Sequence, residues 1–155
     1  IEACNRLRLP LKIFGAGPVE VELKAMAGPT VEFMGRVSDE TKAKLYADCI
    51  AYIHPQEEDF GITAVEAMAS GRPVVAYNRG GAVETVIEGV SGTFFDEQSW
   101  EALADTLLRF DHSRFDPKLI RESTERFSVE NFHKNIRHVV DRAWEKQCVR
   151  CDLKK

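Results

Sequence analysis

The chain has 155 residues, which is enough for one domain with a proper hydrophobic core and short for two. Its 44% hydrophobic and 30% charged residues are ordinary for a globular protein in water. The net charge is −4, with 21 basic against 25 acidic residues, so the electrostatic footprint of a nucleic-acid-binding protein is missing. Because no apolar run approaches the roughly 18 residues of a membrane span, we expect a cytoplasmic protein without a transmembrane segment.

Strand-like and helix-like segments alternate along the chain. Short apolar stretches predict strands at residues 11–15, 30–35, 51–55, 74–77 and 92–95. Helices are predicted at residues 19–27, 38–48, 62–69, 83–88, 99–110, 117–127 and 129–145, and residues 1–10 look like the end of a further helix. Ser38 is the predicted N-cap of its helix, and Gly71 the predicted C-terminal cap of another. This alternation predicts one α/β domain over residues 1–155, with a parallel sheet covered by helices.

Ligands of open parallel sheets bind beyond the carboxyl ends of the strands, where loops lead into helices. Here these loops are residues 15–18, 35–38, 55–61 and 78–81, and all four contain glycine. Gly15 and Gly17 do not form the dinucleotide-binding fingerprint, because residue 20 is glutamate. A plain tight turn and a close approach to a ligand remain equally open for them. Together, the converging loops suit a nucleotide or another phosphorylated ligand.

The segment from residue 57 to residue 71 carries the sharpest signal. Gly61 precedes a helix, so the backbone N–H groups of Ile62 and Thr63 can face a ligand, and a helix N-terminus attracts anions. Glu66 stands near the start of this helix among apolar neighbours. It either complements the helix dipole or accepts hydrogen bonds from ligand hydroxyls, as an acidic residue does for ribose in other nucleotide-binding folds. The apolar surroundings favour the ligand role.

Residues 58–75, "EDFGITAVEAMASGRPVV", place two glutamates eight positions apart before an Ala-Met-Ala-Ser-Gly run. This stretch resembles the signature of retaining glycosyltransferases of family 4 (glycosyl transferases group 1). Within that family, the chain resembles the mannosyltransferases. The stretches "IFGAGP", "EFMGRVSDE", "LYADCIAYIHP", "NRGGAVETV" and "GVSGTFF" follow in the order of that family, so the resemblance runs from about Leu11 to Trp144. It departs at Val83, where the family commonly has proline.

The resemblance implies a Rossmann-like domain, the C-terminal, donor-binding half of a GT-B glycosyltransferase. The N-terminal acceptor domain, the first strand of the donor domain and the Arg and Lys that grip the donor diphosphate are then absent from the 155 residues. The implied donor is a nucleotide-sugar, GDP-mannose first and a UDP-sugar such as UDP-glucose second. The implied acceptor is a glycan or a lipid-linked molecule bound through the missing domain. A location at the inner face of the membrane is left open for the full-length protein.

The resemblance also implies a role for each residue of the site. Glu58 is the catalytic candidate, facing the transferred sugar either to orient it or to stabilise developing charge. The donor-binding set is Glu66 on the ribose, Phe60 and Gly61 around the sugar, the amides of Ile62 and Thr63 on the diphosphate, Val37 and Lys42 near the base, and the turn glycines Gly15 and Gly17. For Lys42, an ordinary solvated position on an exposed helix is equally open.

No cofactor and no metal are expected. A helix N-terminus with basic side chains can stabilise a leaving diphosphate, so an Asp-x-Asp metal motif is not required, and none occurs. The four histidines lack metal-ligand spacing, and Cys148-x-x-Cys151 lacks the second ligand pair of a zinc site, so unpaired thiols are expected. The isolated chain should transfer no sugar. The alternative to an enzyme part is a non-catalytic nucleotide-sugar-binding module, and a GT-B epimerase is a third candidate.

Overall fold

The structure, a computed structural model, describes residues 1–152, with side chains through residue 148. Short strands alternate with helices along the chain. The strands are β1 Leu11–Phe14, β2 Val31–Gly35, β3 Tyr52–His54, β4 Val74–Tyr77 and β5 Gly92–Phe95. The helices are α1 Glu2–Leu7, α2 Glu20–Met26, α3 Asp39–Asp48, α4 Ile62–Ala69, α5 Ala82–Thr85, α6 Trp100–Arg109, α7 Pro117–Ser123 and α8 Val129–Asp152, with 3₁₀ turns at His112–Arg114 and Glu125–Phe127.

Every strand pair is parallel, as the alternating pattern predicts, but the hydrogen bonds form two separate groups. Strand β1 pairs with β2, and β4 lies between β3 and β5. Aromatic side chains connect the two groups: the Tyr46 ring of α3 lies 5.6 Å from the Phe14 ring of β1 and 5.6 Å from the Tyr52 ring of β3, edge to face in both cases. Within the described residues, side-chain packing therefore joins β1 to β3 where the sequence suggested one continuous sheet.

The core lies on both faces of the three-stranded sheet. The first three residues of β4 are completely buried: Val74 and Ala76 face one hydrophobic cluster with α4 and α7, and Val75 faces the other with α1 and α6. A strand buried on both faces reads as a continuous apolar run, which explains the sequence "VVA". Helix α4 packs closely on this sheet through its small residues Ala64 and Ala67. Helices thus cover both faces of the sheet, and the packing of α4 against one face fixes its position.

The predicted caps are confirmed. The Ser38 hydroxyl accepts a hydrogen bond from the N–H of Thr41 at 3.2 Å, at the start of α3. At the end of α4, Gly71 has a φ of +76° and its N–H donates to the carbonyl of Met68. The next N–H, from Arg72, donates to the carbonyl of Ala67, which completes a Schellman motif.

Three predicted helix boundaries are wrong. Helix α5 ends at Thr85 and not at residue 88, because Val86 is extended, with φ −91° and ψ 136°. The helix predicted over residues 117–127 breaks at Thr124, where i→i+3 hydrogen bonds replace helical ones and a 3₁₀ turn follows. Helix α8 continues to Asp152, beyond the predicted end at residue 145.

Two further predictions concern membrane spans and the C-terminal cysteines. In the described part of the chain, no helix combines the length and the apolar character needed to cross a membrane. Cys148 is exposed and is not in a disulfide, as expected for an unpaired thiol. The side chain of Cys151 lies outside the described residues.

Candidate functional site

The loops that follow the parallel strands approach one another in two pairs. After β1 and β2, the N–H of Gly15 donates to the carbonyl of Gly35 at 2.7 Å. After β3 and β4, the N–H of Gly81 donates to the carbonyl of Glu58 at 2.7 Å. A side chain placed on Gly15 or Gly17 would meet no atom within 4 Å, so the first pair borders open space. The φ of +110° at Gly15 shows that the backbone requires glycine there in any case.

The amino end of α4 presents free hydrogen-bond donors. Gly61 is the N-cap residue, with φ +81° and ψ 53°, and it has no side chain that could cap the helix. Within residues 1–152, the N–H groups of Ile62 and Thr63 donate to no acceptor. Unpaired amides and the helix dipole together favour a negatively charged group at this end. The sequence predicted this anion site, and the geometry is consistent with it.

Glu66 lies in the second turn of α4 and has partners within the chain. Its Oε1 accepts a hydrogen bond from Lys42 Nζ at 2.8 Å, and its Oε2 accepts one from the Tyr46 hydroxyl at 3.1 Å. The side chain is 34% exposed, so it is only partly buried, and its position lies beyond the first turn of the helix. The helix-dipole role weakens accordingly, because that effect falls off within the first turn.

Helix α3 supplies both partners of Glu66. The hydrogen bond to Glu66 raises the pKa of Lys42, and Asp39, whose Oδ1 lies 3.4 Å from Nζ, acts in the same direction. Lys42 therefore joins α3 to α4 and is not simply a solvated lysine. Burial raises the pKa of Tyr46, so its phenol keeps the proton that it donates to Glu66. Tyr46 was missed in the sequence, although its position four residues after Lys42 places both on one helix face.

Glu58 lies in the loop between β3 and α4 and is fixed mainly through its backbone. Gly80 and Gly81 pack against this loop so closely that a Cβ on Gly80 would lie 2.5 Å from the Glu58 carbonyl oxygen and one on Gly81 would overlap the backbone of Asp59. Close packing thus explains why both positions of this turn are glycine. The Glu58 carboxylate is 39% exposed, and its Oε1 lies 3.7 Å from Nε2 of His54. Sequence analysis assigned no role to His54, although this residue ends a parallel strand, where ligands usually bind.

The remaining predicted residues surround the same loops. The ring of Phe60 is 43% exposed and packs edge to face on Phe127, with ring centroids 5.4 Å apart. Arg126, next to Phe127, donates to the carbonyls of Glu84 and Thr85 and holds this turn against α5. No local pattern could have identified Phe127, because its contact depends on the packing of α7. Val37 lies half-buried just before α3.

Two other features complete the site. Burial raises the pKa of Tyr52, and the neighbouring Thr63 side chain offsets part of that shift. Val83, the departure from the family pattern, is 49% exposed at the start of α5. Among residues 1–152, no three His, Cys, Asp or Glu side chains come together as metal ligands could. That the site needs no metal ion stays a prediction.

A family model described as "Glycosyl transferases group 1" matches residues 1–130. The chain belongs to this family. It is 30% identical over 115 residues to O-antigen chain mannosyltransferase C of Escherichia coli, across 69% of the chain and 31% of that protein. It is 36% identical over 93 residues to the GDP-mannose-dependent alpha-mannosyltransferase of Corynebacterium glutamicum, across 59% of the chain and 22% of that protein.

Among solved structures, the chain resembles Anabaena HepE in complex with UDP-glucose, with a TM-score of 0.73 and 25% identity. The match covers 90% of this chain and 43% of HepE. The glycosyl transferases group 1 domain described here therefore has the Rossmann-like fold of one half of a GT-B glycosyltransferase. It spans less than half the length of these relatives.

Proposed function

We propose that this domain binds a nucleotide-sugar and forms the donor side of a retaining glycosyltransferase. One observation carries the proposal: the free N–H groups of Ile62 and Thr63 lie at the end of α4, between the loop that carries Glu58 and the helical turn that carries Glu66. The anionic diphosphate fits the amides. The two carboxylates then flank it, one for the nucleoside and one for the sugar.

Glu66 suits the ribose hydroxyls. A carboxylate has about four acceptor positions, and Lys42 and Tyr46 each occupy one, so room for ligand hydroxyls remains. Its two partners fix the carboxylate before any ligand arrives, which reduces the cost of ordering the site on binding. Lys42 also lies at the start of α3, close to Val37, where we expect the base. The base would then be read by a lysine and by backbone groups.

Glu58 suits the transferred sugar. Transfer develops negative charge on the leaving diphosphate and positive character at the anomeric carbon. The α4 amides stabilise the first charge, and Glu58 orients the sugar or stabilises the second. Retaining glycosidases use two carboxylates about 5 Å apart, one of them as nucleophile. Because Glu66 is committed to the ribose here, we favour retention without a covalent enzyme intermediate.

For the donor, we favour GDP-mannose over UDP-glucose. Both named relatives are mannosyltransferases, and one is GDP-mannose-dependent. The structure of HepE, which the chain resembles, contains UDP-glucose, so a UDP-sugar is our second choice of donor. The acceptor, a glycan or a lipid-linked molecule, would bind a second domain that forms the other wall of the cleft, in the cytoplasm or at the inner membrane face. On this proposal the chain by itself transfers no sugar.

The second candidate is a module that binds a nucleotide-sugar without catalysis. Mixing the chain with the rest of its parent protein and a donor distinguishes the two, because only the enzyme part would release nucleoside diphosphate.

Calorimetric titration tests the proposal directly. GDP-mannose, UDP-glucose, GDP and UDP are titrated into the chain and into two variants, Glu66→Ala and the control Glu122→Ala, which removes an exposed glutamate of α7. We expect Glu66→Ala alone to weaken binding, by about 1–3 kcal/mol for a lost hydrogen bond to a charged group.

The 2′-deoxy nucleotides sharpen this test. The unmodified chain should prefer GDP to 2′-deoxy-GDP, and Glu66→Ala should lose that preference, since only the ribose hydroxyl distinguishes the ligands. Equal binding of all four nucleotide ligands by the chain and by Glu66→Ala would overturn the ribose assignment. No binding of any nucleotide would overturn the proposed function.

A further inference from the structure

His54, at the carboxyl end of β3, is a buried polar side chain without a hydrogen-bond partner among the described residues. It is completely buried, and within the described residues neither Nδ1 nor Nε2 is paired. Buried polar groups are nearly always hydrogen-bonded, and exceptions often mark a functional site or an interaction that forms with a ligand. Its ring packs beside the Tyr52 ring, with centroids 6.3 Å apart, so its position is fixed.

His54 points at the catalytic candidate. Its Nε2 lies 3.7 Å from Oε1 of Glu58, which is too long for a hydrogen bond, although a small rotation of the carboxylate would close the distance. Gly61 leaves the space for this approach: a Cβ at that position would lie 3.3 Å from Nε2 and 3.5 Å from Oε1. The three residues therefore meet behind the amino end of α4.

In its neutral form, the His54 imidazole can donate one hydrogen bond. Burial lowers its pKa, and the nearby Glu58 offsets only part of this shift. The imidazole is therefore neutral at neutral pH, with one N–H donor and one acceptor nitrogen. A neutral donor can orient the Glu58 carboxylate without cancelling its charge.

The backbone of Glu58 is fixed, whereas its carboxylate can turn. The carbonyl accepts the hydrogen bond from Gly81, and the Gly80-Gly81 turn packs directly against the loop. The Glu58 side chain is 39% exposed. His54 is thus placed to set the direction of a side chain whose backbone is held by a hydrogen bond and close packing.

We propose that His54 is a positioning residue for Glu58: its Nε2–H donates to Oε1 when the sugar of the donor occupies the site, and this leaves Oε2 directed at the sugar. The inference rests on the proposed nucleotide-sugar function. It predicts that the sugar, and not the nucleoside diphosphate, brings His54 and Glu58 together.

NMR of the imidazole nitrogens tests this in the intact chain. Long-range ¹H–¹⁵N correlation spectra report the tautomer of each histidine, and the loss of one signal set in His54→Gln assigns His54. We expect saturating GDP-mannose or UDP-glucose to shift the His54 nitrogens to a single Nε2–H tautomer, whereas GDP and UDP leave them unchanged. The exposed His112 serves as the internal control and should not move.

Variants provide the second readout. His54→Gln keeps a donor near the Nε2 position, so its affinity for the nucleotide-sugar should stay within about twofold of the unmodified chain. His54→Leu should weaken nucleotide-sugar binding roughly tenfold and leave nucleoside diphosphate binding unchanged. In a Glu58→Ala background, His54→Leu should have no further effect, because the partner is gone.

The outcomes separate the two proposals. A nucleotide-sugar that binds without moving the His54 nitrogens overturns the positioning role. Equal losses in His54→Gln and His54→Leu overturn it as well, because a purely structural histidine would behave in that way. If His54→Leu does not fold, the spectra of the unmodified chain and the affinity of His54→Gln still decide. No binding of any nucleotide-sugar overturns the proposed function, and this inference with it.

Discussion

Glu58 and Glu66 differ in what surrounds their carboxylates. Glu66 has two partners from α3, Lys42 and Tyr46, and is held before any ligand arrives. Glu58 has a fixed backbone but no hydrogen bond to its carboxylate among the described residues. A preset carboxylate suits the part of a ligand that stays unchanged in a reaction. A carboxylate that can turn suits the part that changes, because it can follow developing charge.

Glu58→Ala should affect sugar recognition and spare nucleotide recognition. We expect the variant to bind GDP and UDP as the unmodified chain does, and to bind the corresponding nucleotide-sugars less tightly, by about 1–3 kcal/mol. The neighbouring acid is the matched control, and Glu57→Ala should change neither affinity. Calorimetry with each nucleotide and its sugar conjugate measures the difference. Equal losses for GDP and GDP-mannose would remove Glu58 from the sugar site.

His54 should make the stability of the chain depend on pH. Its pKa is near 6.5 in the unfolded state and lower in the folded state, because burial disfavours the charged imidazole. As the pH falls through 6.5, the unfolded state binds the proton first, so the free energy of unfolding decreases until the folded pKa is passed. Urea denaturation between about pH 7.5 and 5 should show a smaller decrease for His54→Gln. His112→Gln, at an exposed site, should behave like the unmodified chain.

At the scale of elements, α3 and α4 act together. Each follows a strand of a different hydrogen-bonded group, and the Lys42–Glu66 and Tyr46–Glu66 contacts join them across the site. The position of α4 is set by its small residues against the sheet and by the Schellman motif at its end. The position of α3 depends on its Ser38 cap and on Tyr46 in the core. A change that destabilises α3 should therefore also disturb the position of the Glu66 carboxylate.

Two serine caps provide a matched pair of variants. Ser38 caps α3 beside the site, and Ser99 caps α6 on the opposite face of the sheet, with side chains that accept N–H bonds at 3.2 and 3.1 Å. Each Ser→Ala change should cost about 1 kcal/mol of unfolding free energy, measured with urea. Only Ser38→Ala should also weaken nucleotide binding, because only α3 carries Lys42 and Tyr46. Equal effects on binding would mean that the site does not depend on the α3 cap.

At the scale of the whole molecule, we propose that the domain forms one wall of a site. Helices cover both faces of the three-stranded sheet, and the candidate residues lie along the loops beyond the strands. Its positive elements include the free backbone amides of α4 and the lysine that contacts Glu66. Holding donor and acceptor in one geometry can contribute about 7–11 kcal/mol to a reaction barrier, so a single wall should bind but not catalyse.

Metal removal should leave nucleotide binding unchanged. We propose that the α4 amides act on the diphosphate as a divalent cation does in other transferases, so treatment with EDTA followed by calorimetry should give the same affinity for GDP-mannose and UDP-glucose. Adding magnesium or manganese back should have no effect beyond ionic strength. A strict requirement for either ion would contradict the role of the amides.

The isolated chain should release no nucleoside diphosphate from GDP-mannose or UDP-glucose in the presence of sugar acceptors. The reason is geometric, since the acceptor would bind the other wall of the cleft. A coupled assay for GDP or UDP measures the release, and a full-length retaining glycosyltransferase of the same family is the positive control. Turnover by the chain alone would show that the acceptor site lies within these residues.

The sequence alone determined the local structure of this protein. Strand positions followed from short apolar runs, and the ends of α3 and α4 followed from Ser38 and Gly71, because hydrogen bonds within a few residues decide both. The spacing of Glu58 and Glu66, together with the flanking motifs in the order of the family, identified the family and the segment of interest. The break at Thr124 escaped prediction, because residues 117–127 contain no glycine or internal proline to signal it.

Only the tertiary structure decided which side chains meet. The contacts of Tyr46 with Glu66, His54 with Glu58 and Phe127 with Phe60 bring together separate elements, with the pairing of His54 and Glu58 set by how the loop folds back over β3. The same holds for the division of the strands into two groups, which aromatic packing bridges. Local sequence fixes backbone hydrogen bonds over a few residues, but such contacts depend on how helices pack on the sheet, and that is decided by the whole core at once.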